Sequence, residues 1–434
     1  MKNILNNTIL LISSIILFIS CQEKEPIYIL QKEDIKVNAL DGQYSVQVGQ
    51  LLRANVESIN DENVTYEWLL DNEKIAATKN LEYMIEVAGE YKLLLRVTQA
   101  EQSFDYEFNV NVIFNSSVVS PPEGSNPYIT KVLDYMPAVG QFVNKLPVYK
   151  EGDTQEDMNR KVLEAIGNNK KGMVTLGGYG GYVIVGFDHT IENKEGLRDF
   201  RVIANAFYAE ANPDADNIEG GSCEPGIIMV AYDANGNQTP DENEWYEIEG
   251  SSHVDPTLEP WYQKAVDNNN NVNFYNDYEI TYHKPSSEPS NIEEWATYIK
   301  WEDNKSQLGY KVKNQFHRQP YFPLWYEGDK LTFKGSCLPQ NGIDESGVGN
   351  YYVLYKFRYG YMDNEVNDLD NSAIDIDWAI NNKGQRVKLP GVDFIKIYTG
   401  VNQENGWLGE NSTEVMGVND LHLLGEEISL LCTI

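Results

Sequence analysis

One acidic, amide-rich stretch has the residue types and spacing that come closest to a metal site. Oxygen-bearing side chains stand at positions 1, 3, 5, 9 and 12 of a twelve-residue segment, namely Asp233, Asn235, Asn237, Asp241 and Glu244. That spacing lets a loop wrap a hard cation such as Ca²⁺. However, Gln238 stands where a helix–loop–helix calcium site has Gly, and the flanking runs favour strands. Because Asn-Gly and Pro-Asp are also ordinary turn formers, two alternatives stay open: bound Ca²⁺ and a hairpin turn without a ligand.

Large aromatic side chains are concentrated in a long polar region between residues 261 and 326. Exposed aromatic rings in polar insertions can stack on a sugar ring or on a flat cofactor. On that ground four residues are predicted to bind a ligand: Trp261, Tyr262, Trp325 and Tyr326. The alternative is that each ring fills a small core beneath a long loop.

Motifs of known catalytic chemistry are absent from the sequence. The five histidines form no HExxH or HxH pair, and no Gly-x-Ser-x-Gly occurs. Paired carboxylates are uninformative, because 66 Asp and Glu residues make chance pairs inevitable. No catalytic residue is therefore assigned, and the prediction is a protein that is not an enzyme.

The charge balance excludes one class of partner. The chain of 434 residues carries 34 Lys and Arg against 66 Asp and Glu, a formal net charge of −32. Such a surface repels phosphate backbones and anionic lipid, which excludes nucleic-acid binding. With 41% apolar and 12% aromatic residues, the chain has enough apolar surface to fold around a core.

The N-terminus has the pattern of an export signal. Lys2 precedes an apolar run from Ile9 to Ile19, and Ser20 directly precedes Cys21. This ending resembles the bacterial lipobox, in which the cysteine becomes the lipidated first residue. The next residues, Gln-Glu-Lys-Glu, resemble the signal that sends Bacteroidota lipoproteins to the cell surface. We predict a signal peptide over residues 1–20, lipidation of Cys21, and an outer-membrane, surface-exposed protein that contacts the membrane only through its lipid. The alternative is an ordinary secretory signal whose cleavage site adjoins a cysteine.

Three further cysteines, Cys223, Cys337 and Cys432, fit no zinc or redox spacing. They leave two alternatives, one disulfide with a leftover thiol or three free thiols.

Residues 36–114 show short runs with period-two alternation separated by turn residues, the pattern of a small β-sandwich. Trp68 in mid-strand, followed by Gly89-Glu-Tyr91, resembles the PKD-type Ig-like fold. The resemblance implies a spacer that lifts the next domain off the membrane. Residues 21–35 are interpreted as a tether, and the Pro-, Gly- and Ser-rich residues 115–127 as a linker.

The remaining region, residues 128–434, has one clear helix signal. Met158, Val162 and Ile166 share one helical face after a capping Thr154 and before Gly167. β-type runs dominate elsewhere, and no repeat is evident. The predicted fold class is mainly β, with an N-terminal Ig-like sandwich followed by a large jelly-roll-like β-sandwich that has long insertions and one or few helices.

Several stretches of this region together resemble a known family. They include residues 174–188, 391–403 and 406–414. The family is that of Bacteroidota cell-surface lipoproteins that carry a PKD-like domain before a β-rich ligand-binding region. The resemblance implies non-catalytic binding of a small-molecule or glycan nutrient as an accessory to uptake. Some lipoproteins of similar layout work beside TonB-dependent transporters, including transporters for corrinoids. The alternatives are a carbohydrate-active hydrolase with an Asp/Glu pair and a surface adhesin.

The lipid anchor is testable in cells. If Cys21 is lipidated, Cys21→Ala should move the protein from the membrane fraction to the soluble fraction, because one acylated residue is the only anchor that the sequence predicts. Fractionation followed by immunoblotting measures this, and retention of the variant in the membrane would contradict the prediction. Protease added to intact cells should remove the wild-type protein if it is surface-exposed.

Overall fold

The structure is a computed structural model that describes residues 28–115 and 120–429. The predicted signal peptide, the lipidated Cys21 and the tether up to residue 27 lie outside the described residues. Residues 116–119 of the linker and Cys432 do so as well. Cys223 and Cys337 are buried free thiols.

The N-terminal region is built from nine strands: β1 Ile35–Val37, β2 Gln43–Gln47, β3 Leu51–Ala54, β4 Val56–Ser58, β5 Val64–Leu70, β6 Glu73–Ala76, β7 Leu81–Met84, β8 Gly89–Gln99 and β9 Gln102–Ile113. Five of them form one sheet in the order β2-β9-β8-β5-β6, and the pairs β1-β4 and β3-β7 form two small sheets. Alternate residues of these strands are buried around Trp68, which is fully buried as predicted. The PKD-like assignment stays a prediction.

The larger region contains 21 strands in the described chain. The first nine are β10 Lys131–Met136, β11 Val174–Thr175, β12 Tyr182–Glu192, β13 Leu197–Arg198, β14 Phe200–Ile203, β15 Phe207–Tyr208, β16 Gly220–Ser222, β17 Gly226–Ala231 and β18 Trp245–Ile248. The others are β19 Tyr275–His283, β20 Ile299–Asp303, β21 Leu308–Lys311, β22 Lys330–Cys337, β23 Gly342–Asp344, β24 Tyr352–Tyr355, β25 Ala373–Ile374, β26 Ala379–Ile380, β27 Gly391–Thr399, β28 Glu414–Val415, β29 Gly417–Asp420 and β30 Ile428–Ser429.

A six-stranded sheet in the order β10-β12-β27-β17-β18-β26 is the central layer of this region. Its strands bury both faces. In β17, Ile228 and Val230 enter a first core, whereas Ile227 and Met229 face a second core. Strands β14 and β29 help to enclose the first core, and the four-stranded sheet β21-β20-β19-β22 covers the second. The mainly β, sandwich-type fold class is thus confirmed, and the structure adds a core on each side of one sheet.

Five short or medium helices occur in the described residues: α1 Gln155–Ile166, α2 Ser251–Val254, α3 Tyr262–Asp267, α4 Ile292–Trp295 and α5 Leu421–Leu424. The predicted helix is confirmed as α1. Thr154 caps it reciprocally with Asp157, and Met158, Val162 and Ile166 pack into the first core. None of the helices in the described part of the chain is long and apolar enough to cross a membrane.

The N-terminal sandwich packs directly against the larger region. Ala88 and Phe114 are buried in the first core, where the Phe114 ring meets Tyr246 edge-on at 5.9 Å between centroids. The backbone N–H of Ala88 donates to the Tyr246 hydroxyl at 3.1 Å, and the Asn381 amide donates to the Ala88 carbonyl at 3.0 Å. The predicted spacer therefore shares apolar core and hydrogen bonds with the region that it precedes.

Candidate ligand-binding site

Two of the four predicted ligand-binding aromatics lie at the start of α3. Trp261 has no exposed surface, its indole N–H donates to the Lys356 carbonyl at 2.8 Å, and its ring meets Phe357 edge-on. Trp261 is therefore a core residue in this structure rather than an exposed stacking surface. Tyr262, the next residue, is half-buried.

The other two predicted aromatics lie in the loop before β22, and both are partly buried. The Trp325 ring stacks near Tyr135 and Tyr149, and its indole N–H donates to Oε1 of Gln155 at 2.9 Å. The Tyr326 hydroxyl donates to the Lys330 carbonyl at 2.9 Å. Trp325 packs against the first core, whereas Trp261 belongs to the second. The structure does not bring the two tryptophans into one cluster, and their ligand-binding role gains no support from where they lie.

The predicted calcium loop is a compact turn held by its own hydrogen bonds. The Asp233 carboxylate accepts the backbone N–H groups of Asn237 at 3.0 Å and Gln238 at 2.8 Å. The amide nitrogens of Asn235 and Asn237 both donate to Oδ2 of Asp241, at 2.6 and 2.9 Å. In this arrangement the amides present N–H groups to Asp241 rather than oxygens to a cation.

Three carboxylates nevertheless lie near one another in this loop. Burial raises the pKa of Glu244, and the negative charges of Asp241 and Asp233 raise it further. The described residues contain no group of three or more His, Cys, Asp or Glu placed to hold a metal ion. Calcium binding by Asp233, Asn235, Asn237, Asp241 and Glu244 stays a prediction.

A different cleft combines exposed aromatic rings with one buried carboxyl group, that of Glu410, and one partly buried carboxyl group, that of Glu224. Its volume is about 360 Å³. We call it the Trp407 cleft, and its lining consists of Gln141, Phe142, Ser222, Glu224, Asn314, Phe316, His317, Leu354, Asn405, Trp407, Leu408 and Glu410. Phe316 is 68% exposed and Trp407 is 53% exposed, which is unusual for rings of this size.

One side chain fixes the backbone beneath both exposed rings. The Asn314 amide nitrogen donates to the Trp407 carbonyl at 2.9 Å, while its Oδ1 accepts the backbone N–H of Phe316 at 2.8 Å. The Trp407 indole N–H donates to the Asn350 carbonyl at 3.1 Å, which orients the ring. Asn314 therefore holds two aromatic surfaces at one opening, although they are far apart in the sequence.

A second anchor ties the cleft floor to the loop after β10. The backbone N–H of Gln141 donates to Oε1 of Glu410 at 2.6 Å, and the Gln141 amide donates to the Leu408 carbonyl at 2.6 Å. Gly140 is required here, since a Cβ at that position would lie 2.6 Å from Oε1 of Glu410. The absence of a side chain lets the loop approach the buried carboxylate.

Two carboxyl groups line the cleft, and the pKa of each is raised above its usual value. Burial, and then the nearby charge of Glu404, raises the pKa of Glu410 to about 8. Burial also raises the pKa of Glu224, whose Oε1 accepts the backbone N–H of Ser412 at 2.9 Å. Behind Glu224 lie Asp363 and Glu414, whose pKa values are raised by burial and by the charge of Glu224. Carboxyl groups of this kind donate as well as accept hydrogen bonds near neutral pH.

Sequence reasoning missed this cleft. Trp407 lies in the stretch Gly406-Trp-Leu-Gly409, and both glycines have positive φ values, +57° and +96°. An aromatic residue between two such glycines lies on a tight turn, where few neighbouring side chains can cover its ring. That local signal could have drawn attention to Trp407, but nothing local links it to Asn314 or Glu410.

Comparison with known proteins gives no family assignment. The chain matches no protein-family model, and no curated protein matches it significantly. A quinonprotein alcohol dehydrogenase-like protein from Bacteroides thetaiotaomicron is 14% identical over 22% of this chain and 21% of that chain, with a TM-score of 0.17.

Two other solved structures are similar to this chain over most of their length. A SusE-like protein is 8% identical over 91% of this chain and 99% of its own, with a TM-score of 0.19. SGBP-B of the Bacteroides ovatus mixed-linkage glucan utilization locus, in complex with a mixed-linkage heptasaccharide, is 10% identical over 85% and 100%, with a TM-score of 0.18. TM-scores at this level carry no argument about fold or function.

The calcium prediction has a thermodynamic test. If the 233–244 loop binds Ca²⁺, the ion should raise the melting temperature, because it relieves repulsion among carboxylates that only the folded loop brings together. Asp233→Ala should abolish that rise, and Glu123→Ala, at an exposed position outside the loop, should keep it. Scanning calorimetry with Ca²⁺ and with a chelator measures the shift. An unchanged wild-type melting temperature would leave the hairpin turn without ligand as the correct alternative.

The raised pKa of Glu410 predicts a pH-dependent stability. A carboxyl whose pKa is higher in the folded state stabilises the fold at low pH, and this contribution is lost as pH rises through the folded pKa of about 8. The wild-type protein should therefore lose stability between pH 5 and pH 9, whereas Glu410→Gln should not, since its amide has no proton to lose and keeps the hydrogen bond from Gln141. Relative to wild type, the free energy of unfolding of Glu410→Gln should rise by about 1–3 kcal/mol over this pH range. Urea unfolding at both pH values measures the difference. Glu123→Gln is the exposed control, and parallel pH profiles for wild type and Glu410→Gln would contradict the prediction.

Proposed function

We propose that this protein is a surface-anchored, non-catalytic lipoprotein that binds a neutral glycan in the Trp407 cleft as an accessory to nutrient uptake. One observation carries the proposal: two exposed rings, Phe316 and Trp407, flank an opening whose floor presents buried carboxyl and amide groups. A sugar ring has apolar C–H faces that stack on aromatics and hydroxyls that need hydrogen-bond partners. The cleft supplies both kinds of contact.

The polarity of the cleft favours an uncharged sugar. Within the described chain no Lys or Arg lines it, whereas Glu224 and Glu410 do. The formal net charge of −32 adds a long-range repulsion of anions. Uronic acids and sulfated sugars would find no Lys or Arg in the described lining and would be repelled by the net charge of the protein, whereas neutral sugars would not be repelled.

The lipid anchor, the outer-membrane surface location and a TonB-dependent transporter as partner belong to the same proposal. They rest on the signal sequence ending at Cys21 and on the resemblance given above. A corrinoid is the second ligand class within the same binding role. Corrinoids therefore belong in the ligand panel.

A glycoside hydrolase is the second candidate function, because Glu224 and Glu410 both line the cleft. Glycosidases use one carboxyl with a raised pKa as acid and a second carboxylate as base or nucleophile. Glu410 has the raised pKa that the acid needs. Against this role, its Oε1 is occupied by the Gln141 N–H at 2.6 Å and its side chain is only 3% exposed.

Removal of one exposed ring tests the proposed site. Trp407→Ala should weaken glycan binding by about 1–3 kcal/mol, because the stacked ring contact is lost while the fold is unaffected. Isothermal titration calorimetry of the whole chain against neutral glycans, uronic-acid glycans and corrinoids measures this. Tyr28→Ala, at a 45% exposed aromatic that precedes β1, is the matched control and should bind like wild type.

The same titrations distinguish the alternatives. Unchanged affinity in Trp407→Ala would move the site elsewhere. Glycan cleavage detected by product analysis, and abolished in Glu410→Gln, would replace the binding role with the hydrolase.

A further inference from the structure

The loop that lines the Trp407 cleft also contributes to the lining of a second cleft. Its volume is about 290 Å³, and it opens between the edge of the four-stranded sheet and the loop that follows β27. We call it the Trp301 cleft. Trp301, Tyr275 and Tyr310 supply partly exposed rings, and amide side chains dominate the polar lining: Asn271, Gln307, Gln340, Asn402 and Gln403. Uncharged amides beside aromatic rings suit a neutral polyhydroxylated ligand.

The Trp301 ring lies flat on the sheet edge. Trp301 of β20 pairs with Gly309 of β21, and a Cβ at position 309 would lie 2.4 Å from Cζ2 of the indole. The ring therefore covers the glycine with one face. The ring is partly exposed and also lines the cleft. Tyr310, 37% exposed, stands at the opening on the same edge strand.

The two clefts share one short segment of backbone. Asn402, Gln403 and Glu404 line the Trp301 cleft, while Asn405, Trp407 and Glu410 line the Trp407 cleft. Since consecutive Cα atoms are about 3.8 Å apart, the linings of the two clefts come close to each other along this segment. The ion pair between Lys311 Nζ and Glu404 Oε1, 2.9 Å long, lies in the wall between them.

The edge strand β21 and the residues that follow it also contribute to the linings of both clefts. Tyr310 lines one cleft and Asn314 the other, so at about 3.3 Å per residue their backbones are at most about 13 Å apart. Val312, between them, is 41% exposed. A chain of linked sugar rings can follow this exposed edge from one cleft to the other, whereas a single sugar cannot contact both.

We propose that the ligand is a neutral oligosaccharide that occupies both clefts, with Trp407 and Trp301 as separate stacking surfaces. This inference rests on the proposed function of the Trp407 cleft and adds the length of the ligand. Among the described residues neither cleft is lined by Lys or Arg, and Glu404, Glu224 and Glu410 face them. Both clefts therefore combine aromatic rings with amide and carboxyl side chains, and neither offers a Lys or Arg among the described residues.

The test is a length series. The whole chain is titrated by calorimetry with neutral gluco-, manno- and xylo-oligosaccharides from a single sugar to a hexasaccharide. Affinity should rise with the length of the oligosaccharide. Trp301→Ala should lower the affinity for the longest member by about tenfold and leave the affinity for the shortest bound member unchanged. Trp407→Ala should weaken every member of the series.

Two further variants protect the test against misfolding. Tyr310→Ala removes an exposed ring at the opening and should also reduce the length-dependent gain. Leu308→Ala, 58% exposed two residues earlier on the same strand but outside the cleft lining, should bind like wild type. If Trp301→Ala and Tyr310→Ala bind all lengths like wild type while Trp407→Ala is weakened, the second cleft is refuted and the proposed function stands. Absence of binding to every oligosaccharide would refute both.

Discussion

Strand β27 is the element on which the larger region depends. It pairs with β12 along one edge and with β17 along the other, and its side chains enter cores on both faces. A strand paired on both edges and buried on both faces has almost no freedom to shift its register, because a slip of one residue would exchange the two cores. The loop that leaves β27 after Thr399 therefore starts from a fixed point. Residues 402–410 of this loop line both clefts.

Burial of charge is the second constraint around this loop. Lys311 is 1% exposed and pairs with Glu404, and Glu410 lies close enough for the charge of Glu404 to raise its pKa. A buried ion pair is costly to form and costlier to break, since the remaining charge would lose its partner. Such a cluster holds the wall between the clefts in one arrangement. The same burial raises the pKa of the Glu410 carboxyl group, which lines the Trp407 cleft.

The exposed rings of this cleft are attached to backbone that hydrogen bonds hold in place. Trp407 and Phe316 would gain little from exposure to water, but their backbones are held by Asn314 and their turn by Gln141. A pre-organised surface loses little conformational entropy when a ligand stacks on it. By contrast, the rings of Trp261 and Trp325 have their polar atoms satisfied by protein partners and their faces packed against protein. The difference between an exposed ring and a core ring lies in which segments pack over it.

The sequence by itself determined the features that depend on near neighbours. Helix α1 follows from a capping Thr154 and a 3.6-residue period of apolar residues, and the N-terminal sandwich around Trp68 follows from period-two alternation. Strand β17 of the six-stranded sheet shows no such alternation, since its side chains on both faces are apolar, and the second core therefore went unpredicted.

Only the tertiary structure decided the candidate site. The hydrogen bonds that build the Trp407 cleft join Asn314 to residues 173 positions earlier and 93 positions later in the chain. No local period or motif encodes such a contact. Composition marked the aromatic-rich region correctly as unusual, but the exposure of each ring depends on which distant segment packs over it. Trp261 is covered by Phe357 and Trp407 is left open, and that difference is set by the packing of segments around β27 rather than by the residues beside each tryptophan.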